Sequence, residues 1–140
     1  MLLLDTSVLV ALYLPEEKSR RVEKKATGKN RELAISSLAE VEFVSAISRQ
    51  VRMKSIQRDQ GHFLVSQFHL HLSEHVYSTF PLTRQEFETA RDWIFTFDTS
   101  LRTLDALHLA VAHSNRLTLL TDDAAFAKSA RQLGVPVETV

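Results

Sequence analysis

The sequence predicts an α/β fold in which a parallel sheet is covered by helices on both faces. Three observations lead there. Leu2–Leu4, Leu33–Ser36 and Leu117–Thr121 are short, apolar runs without the alternation of a half-exposed strand, the mark of strands buried on both sides. Between them lie longer stretches with helical spacing, and strand–helix alternation of this kind builds parallel sheets. The chain, 140 residues with 44 % hydrophobic side chains, is long enough to bury about two-thirds of its unfolded surface as one domain spanning residues 1–140.

The elements follow in order. Leu2–Leu4 is the first strand. A helix from about Ser7 to Leu14 ends before Pro15, because the residue preceding a proline is pushed out of the helical region. Glu16 to about Thr27 reads as a charged surface helix ending at Gly28. Leu33–Ser36 is the second strand. The stretch SLAEVEFVSAISRQV (Ser37–Val51) is helical, and Ser55 to about Glu74 forms another helix. Val76–Leu82 is a strand. Thr83 caps a helix running to about Phe97, with Glu86 at the capping-box position. Thr103–Asn115 is a helix, Leu117–Thr121 a strand, Ala124–Leu133 a helix closed by Gly134, and Val135–Val140 the last strand.

Composition narrows the function classes. The absence of cysteine excludes disulfides, thiolate catalysis and Cys-based zinc sites, and suits a reducing cytoplasm. No apolar run is long enough to span a bilayer, and no basic segment precedes the first leucines, so a cytoplasmic location without membrane association is expected. Net charge is zero, yet its distribution is uneven. From Lys18 to Arg58 there are eleven Lys and Arg against four Asp and Glu, a surplus of seven that the rest of the chain cancels. Such segregation fits a basic face that holds phosphates beside an acidic site that does not.

Four acids are not fully absorbed by helix-end chemistry. Asp5 stands at the carboxyl end of the first strand, where open α/β sheets bind their ligands. It is suited to N-capping, but Thr6 and Ser7 would serve equally. In the helix at Ser37, the order Ser37-Leu38-Ala39-Glu40 fits a capping box. Steps of three, four, seven and eleven from Glu40 reach Phe43, Val44, Ile47 and Val51, so Glu40 heads the apolar stripe. The same steps from Glu42 reach Ser45, Ala46 and Arg49, which puts Glu42 on a solvated face. Asp105 lies in the first turn after a Thr103 N-cap, where the helix dipole favours an acid. The surrounding LDALHLAVA is apolar on nearly all sides and marks a buried helix. His108, one turn on, reads as a hydrogen-bonded core histidine. In TLLTDDAAFA, steps from Asp123 reach only apolar residues, which makes Asp122 the expected cap and Asp123 the inward acid.

Asp5, Glu40, Asp105 and Asp123 are thus expected along one sheet edge. Carboxylates gathered there repel one another unless a cation joins them. An oxygen-only donor set without cysteine suits Mg²⁺ or Mn²⁺, and such a site can activate water and neutralise charge on a phosphodiester.

The segments LLLDTSVLVALYLPEE, ISSLAEVEFVSAISR, LRTLDALHLAVA and LLTDDAAFAKSARQLGVPV, in this order, resemble the PIN domain. Within it they are most similar to the VapC ribonuclease toxins of type II toxin–antitoxin pairs. The resemblance implies a three-layer α/β/α sandwich with a central parallel sheet and a divalent-metal-dependent endoribonuclease. It further implies inhibition by an antitoxin partner and assembly as a homodimer. Carried over by motif, the acidic site maps onto Asp5, Glu40, Asp105 and Asp123 as catalytic and metal-binding residues. The resemblance implies Thr6, Thr121 and Asp122 as candidate assisting residues, and the basic run from Lys18 to Arg58 offers Arg49 and Arg52 as candidate RNA contacts. A PIN-like module in RNA processing without an antitoxin is the alternative. A haloacid dehalogenase-type phosphatase would need an acid where Ser7 stands, and a receiver-like module a strand-end lysine where only Lys128 is available, inside a helix.

Overall fold

The computed structural model describes residues 1–28 and 31–140; Lys29, part of the basic run, lies outside the described residues. Five strands, β1 (Leu2–Leu4), β2 (Leu33–Ser36), β3 (Tyr77–Phe80), β4 (Thr118–Thr121) and β5 (Val137–Thr139), form one parallel sheet in the order β3-β2-β1-β4-β5. Seven helices among the described residues cover it: α1 (Thr6–Ala11), α2 (Ser19–Ala26), α3 (Ser37–Arg52), α4 (Arg58–Ser73), α5 (Arg84–Phe95), α6 (Thr103–Ser114) and α7 (Ala124–Gln132). This is the expected three-layer α/β/α sandwich. None of these helices is long and apolar enough to cross a membrane.

The uniformly apolar strands are explained by burial on both sides. Leu2, Leu4, Ile35 and Leu120 point into a core shared with Val8, Val22, Phe43 and Phe68 from α1 to α4. Leu3, Ala34 and Leu119 point the other way, against Leu109 and Val111 of α6 and Phe126 of α7. Period-two alternation is present in direction but invisible in polarity, because both faces are dry. Along α6 every residue from Ala106 to Ala112 is buried, as its all-round apolar sequence requires.

Several boundaries differ from expectation, for local reasons. Turns occupy the segments before α2 and α4, so these helices start at Ser19 and Arg58. α3 is capped by Ser36, whose hydroxyl accepts from the Ala39 N–H at 3.3 Å; the expected Ser37–Glu40 box is therefore not formed. The Ser37 hydroxyl accepts from the Leu82 N–H instead. Arg102, not Thr103, occupies the N-cap position of α6, and its side chain makes no cap hydrogen bond. The Thr83–Glu86 capping box does form, with the Thr83 N–H donating to Glu86 at 2.8 Å. Gly134 closes α7 at φ +72°, a conformation costly for residues with a Cβ.

The α3–α4 contact depends on a missing side chain. A Cβ at Gly61 would stand 2.7 Å from Cγ2 of Val51, whose branched side chain is stiff. Gly61→Ala gains about 1 kcal/mol of helix propensity but incurs about 1–3 kcal/mol of overpacking, so a net loss of stability is expected. Urea unfolding checks this, and Val51→Ala in the Gly61→Ala background should recover part of the loss.

Candidate active site

Sheet order reverses at β1: β2 leaves to one side and β4 joins on the other. The crevice at the carboxyl ends of β1 and β4 is therefore the topological switch point, where α/β sheets bind ligands. Asp5 follows β1 and Asp122 and Asp123 follow β4, so the sequence delivers acids there from two directions. The Asp5 N–H donates to the Leu120 carbonyl at 3.0 Å, which extends the β1–β4 ladder by one residue and fixes the Asp5 backbone.

The Asp5 side chain does not cap α1. Its Oδ2 accepts from the Thr121 hydroxyl at 2.8 Å, and the Thr121 Oγ1 in turn accepts from the Asp123 N–H at 3.0 Å. Ser7 Oγ stands 2.9 Å from the same Asp5 oxygen and 2.5 Å from Asp122 Oδ1. One hydroxyl proton serves only one of them at a time. Burial pushes the Asp5 carboxyl above its ordinary value, against the lowering influence of Thr121, His108 and Ser7, and the charge of Asp105 adds to the rise.

The other acids are met by cations. Asp122 accepts from Lys18 Nζ at 2.6 Å. Its burial works against ionisation, but Lys18 and Ser7 hold its carboxyl below the ordinary value. Arg102 Nε donates to Asp105 Oδ2 at 3.0 Å, and its Nη2 lies 3.8 Å from Asp123 Oδ2. Asp123 is the true cap of α7, its Oδ1 accepting from the Phe126 N–H at 2.9 Å. This corrects the expectation that Asp122 caps. A single carboxylate has two oxygens, and Asp123 uses one for the helix while turning the other to Arg102.

The largest difference concerns α3. Glu42, expected on a solvated face, is half-buried and accepts from the Thr6 hydroxyl at 2.5 Å and from His108 Nε2 at 2.6 Å, both on Oε2. His108 is buried, and its Nδ1 lies 2.9 Å from the Ser36 hydroxyl. His108 is thus bonded on both ring nitrogens, Nε2 to Glu42 and Nδ1 to the Ser36 hydroxyl, which also receives the Ala39 N–H. Burial opposes ionisation of Glu42, but His108 and Thr6 together hold its carboxyl below the ordinary value. Glu40, assigned to the site from the apolar stripe, makes no hydrogen bond or ion pair among the described residues, and Val41 and Val44 beside it are exposed. The structure therefore brings Asp5, Asp105, Asp123 and Glu42 to one edge and leaves Glu40 unengaged. Arg49 and Arg52 lie toward the far end of α3, about 10 Å or more of helix beyond Glu42, where Arg52 donates to Ser48.

The oxygen-only donor chemistry is that of a hard divalent cation, although among the described residues no group of three or more His, Asp or Glu side chains is placed to hold a metal ion. Asp5, Glu42 and Asp105 each engage one carboxylate oxygen with Thr121, His108 with Thr6, or Arg102 respectively. Their second oxygens, Oδ1, Oε1 and Oδ1, carry no hydrogen bond among the described residues.

The PIN domain family model matches residues 2–132. The chain belongs to the PIN domain family. No relative is found among curated protein sequences. Solved structures share the fold of this PIN chain. A toxin–antitoxin complex from Klebsiella pneumoniae is 20 % identical, covers 99 % of this chain and 97 % of its own, and superposes at a TM-score of 0.70. FitAcB from Neisseria gonorrhoeae is 19 % identical, with 98 % and 96 % covered, at 0.72. Mycobacterium tuberculosis VapC20, a sarcin–ricin loop cleaving toxin, is 17 % identical, with 92 % and 95 % covered, at 0.73.

Within this PIN domain, Asp5 and Glu42 should respond oppositely to neutralisation. The raised carboxyl of Asp5 contributes stability below its ordinary value of 3.8 and loses it as pH rises through the folded value. Asp5→Asn should therefore raise the melting temperature of metal-free protein at neutral pH, and the gain should vanish in acid. The lowered carboxyl of Glu42 contributes stability above 4.5 and loses it as pH falls through the folded value. Glu42→Gln should lower stability at neutral pH by about 1.5 kcal/mol, the lower end for hydrogen bonds to a charged group, with the loss shrinking in acid. Melting curves across that pH range read both signs.

Proposed function

We propose that this PIN domain is a divalent-metal-dependent endoribonuclease and the toxin of a type II toxin–antitoxin pair. The observation that carries the reading is the gathering of Asp5, Glu42, Asp105 and Asp123 at the switch point of a PIN fold. Supporting it, structures of the same fold include toxin–antitoxin complexes and a toxin that cleaves the sarcin–ricin loop. A cognate antitoxin and a homodimer belong to the same proposal, as does a single domain acting in the cytoplasm.

In this reading Asp5, Asp105 and Glu42 would hold Mg²⁺ or Mn²⁺, with Asp123 as a fourth acid. When bound, the ion supplies activation of water and neutralisation of phosphate charge. The chain's own groups do the rest. Thr121 fixes the Asp5 carboxylate, while Thr6 and His108 fix that of Glu42, so neither has to give up rotamer freedom when substrate arrives. Lys18 pairs with Asp122, and its positive charge offsets that carboxylate where a phosphodiester would approach.

Incubation of the protein with single-stranded RNA, followed by mapping of the new 5′ ends, tests the activity. Cleavage should require Mg²⁺ or Mn²⁺ and stop in excess EDTA; undiminished cutting in EDTA would overturn the metal assignment. The two glutamates of α3 separate the site reading from the stripe reading. Glu42→Gln should lower kcat by more than the roughly 10–100-fold that follows loss of a group supporting a metal ligand. Glu40→Gln should stay within a few-fold of the parent. The reverse result would restore Glu40 to the site.

A further inference from the structure

The acids of the site adjoin a basic surface through Lys18. Lys18, at the head of α2, contacts Asp122. From there α2 presents Arg21, Lys24 and Lys25 to solvent, while Val22 and Ala26 anchor it on the core. At its far end these three residues and Arg31 line a groove of about 370 Å³ over β5. Arg31 is fixed there by Glu138 at 2.8 Å.

Lys18 is paired with both Asp122 and Glu16, and beyond it the cations Arg21, Lys24, Lys25 and Arg31 outnumber the acids. Arg21 and Lys25 lie about 40° apart around the helix, with Lys18 and Lys24 about 60° to either side. Glu23 falls about 200° from Arg21 and faces a different groove, beside Tyr13 and His71. Glu138, the acid within the groove, is spent on Arg31, which leaves a net charge of +3 from Arg21, Lys24, Lys25 and Arg31 less Glu138. Eight helical residues span about 12 Å, so the cations form a track from the acid cleft to the groove and not a point site.

We propose that this face of α2 binds the phosphodiester backbone of single-stranded RNA and leads it into the cleft; the proposal rests on the ribonuclease reading. Several cations in a line match the spacing of a polyanion, and phosphate contacts of this sort position a strand without reading its sequence. The RNA-binding surface is thus α2, continuous with the acids through Lys18, in place of Arg49 and Arg52 at the far end of α3.

The test measures binding of a fluorescent single-stranded RNA by the Asp5→Asn protein across a salt series. Each lost phosphate contact flattens log K against log salt by about 0.7, so Arg21→Gln with Lys25→Gln should flatten it by about 1.4. In the active background the same pair should raise KM with little change in kcat. These side chains are exposed, and an unaltered melting curve shows that the fold is intact. An unchanged slope and KM in a protein that binds and cuts RNA would overturn the proposal and mark the face as one for an acidic protein. The proposal also falls if Arg49→Gln with Arg52→Gln flattens the slope while the α2 pair does not. A parent protein that neither binds nor cuts RNA would remove the ribonuclease reading, and this inference with it.

Discussion

The arrangement of the molecule depends on a buried carboxylate at the β1–β4 seam. Asp5 is placed there by backbone hydrogen bonding to Leu120, and its side chain is held by Thr121 from the neighbouring strand. Strand pairing and site geometry are consequently the same interaction. A slip of one residue between β1 and β4 would turn the apolar side chains to the wrong faces and separate Asp5 from Thr121 together. Burial makes the charge on Asp5 unfavourable in isolation, so the fold accepts a local cost where its two halves meet, as sites of chemistry commonly do.

The remaining acids are tolerable because each faces a counter-group, one of which is shared. Lys18 serves Asp122, Arg102 serves Asp105 and Asp123, and His108 serves Glu42. These partners come from two segments: Lys18 from the start of α2, and Arg102 and His108 from the head and the middle of α6. The crevice therefore holds acids close together without leaving them unpaired, and the opposite behaviour of the Asp5 and Glu42 carboxyls follows from what stands beside them. Asp5 has neutral hydroxyl donors in a dry seam; Glu42 has an imidazole as well as a hydroxyl.

Much of this was legible in the sequence. Strands buried on both sides announce themselves by uninterrupted apolar runs, and α6 by its lack of any polar face. The capping box at Thr83 and the glycine stop at Gly134 are local patterns that tertiary structure had no reason to override. The positions of Asp5 and Asp105 were readable because each is fixed by an element end. Glu42 was not, and the reason is geometric. The buried line of α3 runs through Ala39, Phe43 and Ile47. Glu40 and Glu42 flank that line on opposite sides, about 60° and 100° from Phe43. Periodicity finds the centre of a buried stripe but cannot say which flank meets α1 and α6. The usable signal lay elsewhere in the chain: His108 sits in a run too apolar to solvate it, and a buried imidazole requires partners. The cap assignment at Asp122 and Asp123 failed for a related reason. Helical spacing treats a carboxylate as one group, whereas Asp123 serves α7 with one oxygen and the cleft with the other.

The three counter-groups differ in how firmly they hold. His108 is buried, with its side chain 2 % exposed, and is bound on both ring nitrogens, so separating it from Glu42 would strand a polar group in the core. Lys18 is 21 % exposed and bridges Asp122 to Glu16. Arg102 is 76 % exposed, and solvent screens an exposed pair of this kind strongly. The acids that Arg102 neutralises, Asp105 and Asp123, are thus the ones whose counter-charge can be exchanged at little cost. Those held by His108 and Lys18 are built into the fold. The site combines a fixed half, set by packing and strand pairing, with a half whose charge balance is open to exchange with solvent.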